Sequence, residues 1–170
     1  MSSPHPGDRR MIRSKSAGAL FTMVITLLAS LMTVIAAPQA ASAAAAPVYH
    51  LRNVQTGLCL DSNSSGTVYT LACNGGNNQK WYDLPAAPIV HRYIMVNVAT
   101  GRCLSTNYNG DLYTAACENS QPLQFWYFLT QPSRVANELT GRCADNNYSG
   151  WAYAEPCNNG NYQRWHKNWL

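Results

Sequence analysis

One cysteine-bearing segment is written three times in this chain, and that repetition limits the possible fold more than any other feature. The copies open on Asn53-Val54-Gln55-Thr56-Gly57-Leu58-Cys59, Asn97-Val98-Ala99-Thr100-Gly101-Arg102-Cys103 and Asn137-Glu138-Leu139-Thr140-Gly141-Arg142-Cys143. Each runs fourteen positions to a second cysteine (Cys73, Cys117, Cys157) and closes on Gln-x-Trp, at Gln79 and Trp81, Gln124 and Trp126, Gln163 and Trp165. A period of about forty residues marks one structural unit used three times, each too small to bury its own apolar face. The three copies must close on one another.

Within a copy the texture is that of short strands. Val48 to Arg52 alternates apolar and polar residues, and Thr56-Gly57 turns the chain into Cys59-Leu60-Asp61. A second turn at Ser65-Gly66 leads to Val68 to Ala72, and the loop Asn74 to Asn77 leads to a fourth strand, Gln79 to Tyr82. Taken three times this predicts twelve short strands, an all-β chain with no convincing helical period. Asp83 to Pro88, with two prolines, reads as a linker between the first two copies. The tryptophan of each Gln-x-Trp is suited to fill the shared centre, with Leu60, Leu104 and the smaller Ala144 around it. The glutamine beside it, whose amide both donates and accepts, is suited to satisfy buried backbone groups.

Six cysteines in an exported chain of this size read as three disulfides. Fifteen pairings exist in principle. If each copy folds alike, the repeat selects Cys59–Cys73, Cys103–Cys117 and Cys143–Cys157, each closing a loop worth roughly 3 kcal/mol in the chain-entropy model. Export is read from the first 43 residues. Arg9, Arg10, Arg13 and Lys15 precede an apolar run from Ala17 to Ala37, and Ala41-Ser42-Ala43 has the small-x-small form of a cleavage site. Residues 1–43 are thus expected to be a cleaved signal peptide and 44–170 the mature, secreted domain, with no membrane association after cleavage. Of twelve basic and eight acidic residues the leader takes four and one, leaving eight against seven, a net charge of +1. The basic residues that remain are scattered singly, which argues against a nucleic-acid partner. No cofactor or metal is expected, since no close Cys or His pairs suit zinc.

The three Cys-Leu-Asp … Cys … Asn-Gln-x-Trp units resemble the ricin-type β-trefoil lectins, the Gln-x-Trp family, over Val48 to Leu170. Asp61-Ser62-Asn63-Ser64-Ser65-Gly66-Thr67-Val68-Tyr69-Thr70-Leu71, followed by Cys73-Asn74-Gly75-Gly76-Asn77, is similar to the repeat of the actinohivin-like, mannose-binding lectins within it. The resemblance implies a β-trefoil of three repeats, approximately 48–86, 87–130 and 131–170, with pseudo-threefold symmetry and one disulfide each. It implies a lectin for terminal α1,2-linked mannose of high-mannose glycans and glycoproteins, taken here as a monomer. In that family each pocket uses the aspartate, the tyrosine eight positions on, the following leucine, the first loop asparagine and the tyrosine before the glutamine.

Carried over, the first copy supplies Asp61, Tyr69, Leu71 and Asn74, with Asn78 in place of the last tyrosine. The third supplies Asp145, Tyr153, Asn158 and Tyr162, with Glu155 in place of leucine. In the second only Tyr113 survives, beside Ser105, Ala115, Glu118 and Leu123, and one residue is inserted before Gln124. Two sugar pockets are expected, and one that has lost its chemistry. The residue types suit a hexose. A carboxylate accepts two neighbouring hydroxyls as charge-assisted hydrogen bonds, an asparagine adds a donor and an acceptor, and a tyrosine covers the C–H surface with a polar tip. Leu71 would add apolar contact, and Asn78 would partly replace the missing ring. An aspartate near Asn and Gly also caps turns, but Ser105 shows that the fold does not demand a carboxylate there. Tyr113 persists in the degenerate copy, so the tyrosines carry a packing duty as well. Trp151 and Tyr148, beside the third turn, are placed to extend a pocket.

Other functions fit the sequence less well. A catalytic one lacks a nucleophile motif or phosphate loop, and Asp61 and Asp145 lie in separate copies instead of pairing as in a glycosidase; no enzyme is expected. An exported protease inhibitor would expose a reactive loop that departs from the repeat, and Asp83 to Arg92 departs most. Galactose- or xylan-type recognition remains open within the resemblance. Galactose-binding modules commonly place an aromatic two positions before the second cysteine, where this chain has Leu71, Ala115 and Glu155.

Overall fold

The computed structural model describes residues 46–129 and 133–170; the expected signal peptide lies outside the described residues. Twelve strands follow in chain order: β1 (Val48–Asn53), β2 (Cys59–Ser62), β3 (Val68–Leu71) and β4 (Lys80–Pro85); β5 (Tyr93–Asn97), β6 (Cys103–Thr106), β7 (Leu112–Ala115) and β8 (Trp126–Leu129); β9 (Arg134–Asn137), β10 (Arg142–Asn146), β11 (Ala152–Pro156) and β12 (Trp165–Trp169). Each copy thus contributes four strands. The outer strands pair β1 with β4, β4 with β5, β5 with β8, β8 with β9 and β12 with β1, all antiparallel. A bridge between Ser133 and Trp165 closes the ring into a six-stranded barrel. The inner pairs β2–β3, β6–β7 and β10–β11 are hairpins. This is the trefoil arrangement, and closing the barrel leaves it no open sheet edge.

The core follows the repeat. Trp81, Trp126 and Trp165 are fully buried in one cluster with Leu60, Leu104 and Ala144. Each indole N–H donates to the carbonyl of the residue that follows the first cysteine of its copy, namely Leu60 (3.1 Å), Leu104 (2.9 Å) and Ala144 (3.0 Å). Each glutamine works both ways: Gln79 accepts from Asn74 N–H and donates to the Ala72 carbonyl, Gln124 does so with Glu118 and Ala116, and Gln163 with Asn158 and Pro156. The disulfides pair Cys59–Cys73, Cys103–Cys117 and Cys143–Cys157.

Two boundaries differ from the sequence reading. Gln79 does not open the fourth strand but ends a 3-10 turn, Asn77–Gln79, as do Gln124 (Pro122–Gln124) and Gln163 (Asn161–Gln163). The turn lets the amide reach back across the loop to bond both of its main-chain partners. The linker also begins later than Asp83, because Asp83, Leu84 and Pro85 extend β4 opposite Met95, Ile94 and Tyr93. The connection that follows is held by Arg92, which donates to the Ala86 and Ala87 carbonyls and pairs with Glu138 at 3.2 Å.

The hairpins lock onto one another around the pseudo-threefold axis through three equivalent backbone bonds, joined by the side-chain bonds Ser62–Thr114 and Asn146–Thr70. Gly150 O accepts from Thr70 N–H, Gly66 O from Thr114 N–H and Gly110 O from Ala154 N–H, at 2.7–2.8 Å. These glycines have φ of 85–92°, and a Cβ on Gly110 would stand 2.4 Å from the Ala154 carbonyl oxygen. Positive φ and close backbone approach together leave only glycine. Gly110→Ala is expected to cost about 2 kcal/mol or more, read as a lower urea midpoint with the disulfides intact; an unchanged midpoint would contradict this locking.

Candidate carbohydrate site

The eight-residue interval from aspartate to tyrosine becomes a direct cross-strand pair in each hairpin. Asp61 stands opposite Tyr69, Ser105 opposite Tyr113 and Asp145 opposite Tyr153. Side chains so placed lie within mutual reach on one face of the hairpin. Burial, followed by the Asp61 carboxylate, raises the pKa of the Tyr69 phenol. Burial raises Tyr153 likewise, with Asp145 and then Glu155 adding to it.

The third copy is the most complete. Asp145, Tyr153, Asn158 and Tyr162 line one depression of about 160 Å³, together with Asn146, Asn147 and Gly160. Asp145 is 7% exposed and forms its floor. Its Oδ1 and the Asn146 Oδ1 are buried with no hydrogen-bond partner among the described residues. Burial pushes the Asp145 carboxyl above its ordinary value, Gln163 and the Asn146 N–H pull it down, and Glu155 pushes it up again. Glu155 itself pairs with Arg142 at 3.6 Å.

Loop geometry sets the remaining groups. Asn158 Oδ1 accepts from Gly160 N–H at 2.7 Å, as Asn74 Oδ1 does from Gly76 N–H at 2.8 Å, so the Nδ2 donors are the groups left for a ligand. A Cβ on Gly160 would stand 2.8 Å from that Asn158 oxygen, so a larger residue there would displace the asparagine side chain. Tyr162 packs edge-on against Tyr148, with ring centroids 5.9 Å apart. Tyr148 is anchored in turn by its hydroxyl to Gln55 of the first copy, donating to the backbone carbonyl and accepting from the side-chain amide.

In the first copy Asp61 is 3% exposed and its Oδ1 likewise has no partner among the described residues. Asn78 donates its Nδ2 to the Ser62 carbonyl at 2.6 Å, so only its oxygen is left to offer. Leu71, nearly half exposed, lines a different groove with Tyr69 and Trp151. In the second copy the Ser105 hydroxyl donates to the Leu123 carbonyl at 3.4 Å, which satisfies the position without a charge. Among the described residues no group of three His, Cys, Asp or Glu is placed to hold a metal ion.

One set of positioning residues escapes a copy-by-copy reading. The asparagine opening each copy reaches into the preceding copy's site loop: Asn53 donates to Tyr162 O (2.7 Å), Asn97 to Asn78 O (2.7 Å) and Asn137 to Leu123 O (2.9 Å). Its own oxygen accepts from the Asn-x-x-Thr turn, as at Thr56, Thr100 and Thr140. The recurrence was visible in the sequence, but the partner lies across a repeat boundary.

A closed six-stranded barrel capped by three hairpins, one of which carries a polar depression, is a β-trefoil. The family model for the ricin-type β-trefoil lectin domain matches residues 47–165, and the chain belongs to that family. Among solved structures it is similar to the designed threefold-symmetric protein ThreeFoil, at 20% identity and a TM-score of 0.65, covering 72% of this chain and 99% of that one. It is similar to SeviL bound to asialo-GM1 saccharide, at 15% identity and a TM-score of 0.60, covering 72% and 96%. It is also similar to a GlcNAcα1-4Gal-releasing endo-β-galactosidase from Clostridium perfringens, at 18% identity and a TM-score of 0.65. That match covers 73% of this chain but 32% of the enzyme. At such identities the likeness is one of fold.

Proposed function

We propose that this is a secreted, non-catalytic lectin that grips terminal α-linked mannose, with the third repeat as its principal pocket and the first as a second one. The observation that carries the reading is the convergence of Asp145, Tyr153, Asn158 and Tyr162 on one depression, over a carboxylate whose bonding the protein leaves incomplete. Buried polar groups ordinarily find partners, and a hexose with vicinal hydroxyls supplies donors for this one. The Asn158 Nδ2 donates to a ring or hydroxyl oxygen, and the tyrosines cover the C–H surface. Three disulfides in so small a domain support life in an oxidising compartment, in keeping with export. Leu71, Ala115 and Glu155, where galactose binders carry an aromatic, favour mannose.

Isothermal titration with α1,2-mannobiose and with lactose tests it. Mannobiose is expected to fill two sites and lactose none. Asp61→Ala and Asp145→Ala should each remove one site, and the double variant both. Unchanged binding in the double variant, or a preference for lactose, refutes the assignment. Two rigidly linked pockets should also bind a clustered high-mannose glycoprotein more tightly than free mannobiose through effective concentration.

A further inference from the structure

The residue that follows each hairpin glycine is Thr67, Asp111 and Trp151 in the three copies. Each bridges to the site tyrosine of the next copy: Thr67 to Tyr113, Asp111 to Tyr153 and Trp151 to Tyr69. Each pocket therefore borrows a neighbour from the preceding repeat, and only at one boundary is that neighbour aromatic. The Trp151 indole is 72% exposed. Its backbone is fixed, the N–H bonded to Asn147 Oδ1 (3.2 Å) and the carbonyl to Asn147 N–H (3.1 Å). A large aromatic exposed on a fixed backbone contributes little to a core and is a familiar mark of a binding surface.

Two grooves meet at this ring. One, of about 370 Å³, lies between Trp151 and Asp111 and adjoins the Asp145 depression, with Asn147 and Tyr153 lining both. The other, of about 250 Å³, runs past Trp151 to Tyr69 and Leu71. From Asp145 the adjoining groove offers an indole face suited to the C–H face of a pyranose and, since Asp111 Oδ2 accepts from Asn107 Nδ2 at 2.8 Å, the Asp111 Oδ1 as an exposed acceptor for its hydroxyls.

Resting on the reading of the third repeat as a sugar pocket, we propose that Trp151 and Asp111 form a second subsite, which binds the penultimate residue of an oligosaccharide whose terminal residue is held at Asp145. The site is built across repeat boundaries, and the positions equivalent to Trp151 hold Thr67 and Asp111 in the other two copies.

The test compares methyl α-mannopyranoside with linear α1,2-mannotriose on the parent chain, Trp151→Ala, Trp151→Phe and Asp145→Ala. In Trp151→Ala the mannotriose is expected to bind about 10-fold more weakly while the monosaccharide is unaffected; Trp151→Phe should retain most of the affinity. In the parent, the Trp151 indole N–H resonance should move on adding mannotriose and stay still with the monosaccharide. Asp145→Ala should lose both ligands at the third repeat. Equal effects of Trp151→Ala on the two sugars, or none on either, overturn the subsite and leave the pocket standing. A parent chain that binds neither sugar overturns both readings. Because the indole is exposed and only its backbone is bonded, Trp151→Ala should melt with the parent, and a melting curve checks that a loss of affinity is not a loss of fold.

Discussion

Asp145→Asn is expected to weaken binding at the third repeat by about 100-fold or more, and at neutral pH to raise the melting temperature. The loss follows from exchanging a charged acceptor for a neutral one in two hydrogen bonds, each worth about 1.5–3 kcal/mol when charge-assisted. The gain follows from the same carboxylate's cost to the unliganded fold. Burial raises the Asp145 pKa, with Glu155 adding to it. The folded state therefore keeps its proton where the unfolded chain has already released it. Stability from such a group is fully present below the ordinary aspartate value and is lost as pH rises through the folded one. An asparagine cannot ionise, so the variant escapes that loss at neutral pH, and its advantage should vanish as the pH falls below about 3.9, the ordinary value. Paired melts across pH and titration with mannobiose check both halves. A variant that melts lower and binds as before would show that Asp145 serves the fold.

Much of this site was legible because its parts lie within one repeat. The aspartate and tyrosine eight positions apart face each other since a short hairpin turn joins their strands, and the register does the rest. The cysteines, glutamines and tryptophans were legible for the same reason, their partners being at most 22 positions away. What stayed hidden crosses repeat boundaries. Asn53 and Tyr162 are 109 positions apart, Gln55 and Tyr148 are 93 apart, and neither pair carries a mark in the sequence of its own copy. Trp151 was visible as an aromatic beside a turn, but the turn says nothing of Tyr69 or Asp111, which the threefold closure sets on either side of it. Asn78 holds the position of a sugar contact, while the commitment of its Nδ2 to the Ser62 carbonyl carries no mark in the sequence. Packing of one copy against the next, set by backbone bonds such as Gly110 to Ala154, decides these neighbours.

The same closure gathers a cluster that no repeat encodes, and Lys167→Ala should expose its worth. Lys167 on β12 bonds Asp83 on β4, and Tyr49 on β1 donates its hydroxyl to the other oxygen of that carboxylate. The ammonium lies over the rings of Phe128 (3.9 Å), Tyr49 (4.1 Å) and Trp169 (4.7 Å), so strands from all three copies converge on one charge. The side chains of Lys167 and Asp83 are only 11% and 13% exposed. Burial lowers the lysine pKa while Asp83 draws it back up, and burial with Asp83 holds the Tyr49 phenol well above its usual value. Removing the lysine alone leaves Asp83 buried with a single neutral donor, and breaking such a pair costs about 3–5 kcal/mol. Replacing both charges, as in Asp83→Leu with Lys167→Met, removes the unpaired charge along with the pair and is expected to recover most of that loss. The parent, Asp83→Leu, Lys167→Met and their double form a cycle whose coupling energy isolates the pair from the packing of the lysine's aliphatic stem. Urea unfolding of the four proteins measures it. A Lys167→Ala variant within about 1 kcal/mol of the parent would place the ion pair among the weak surface kind, and a double variant no more stable than the single would assign the loss to the rings around the lysine instead of to the stranded carboxylate.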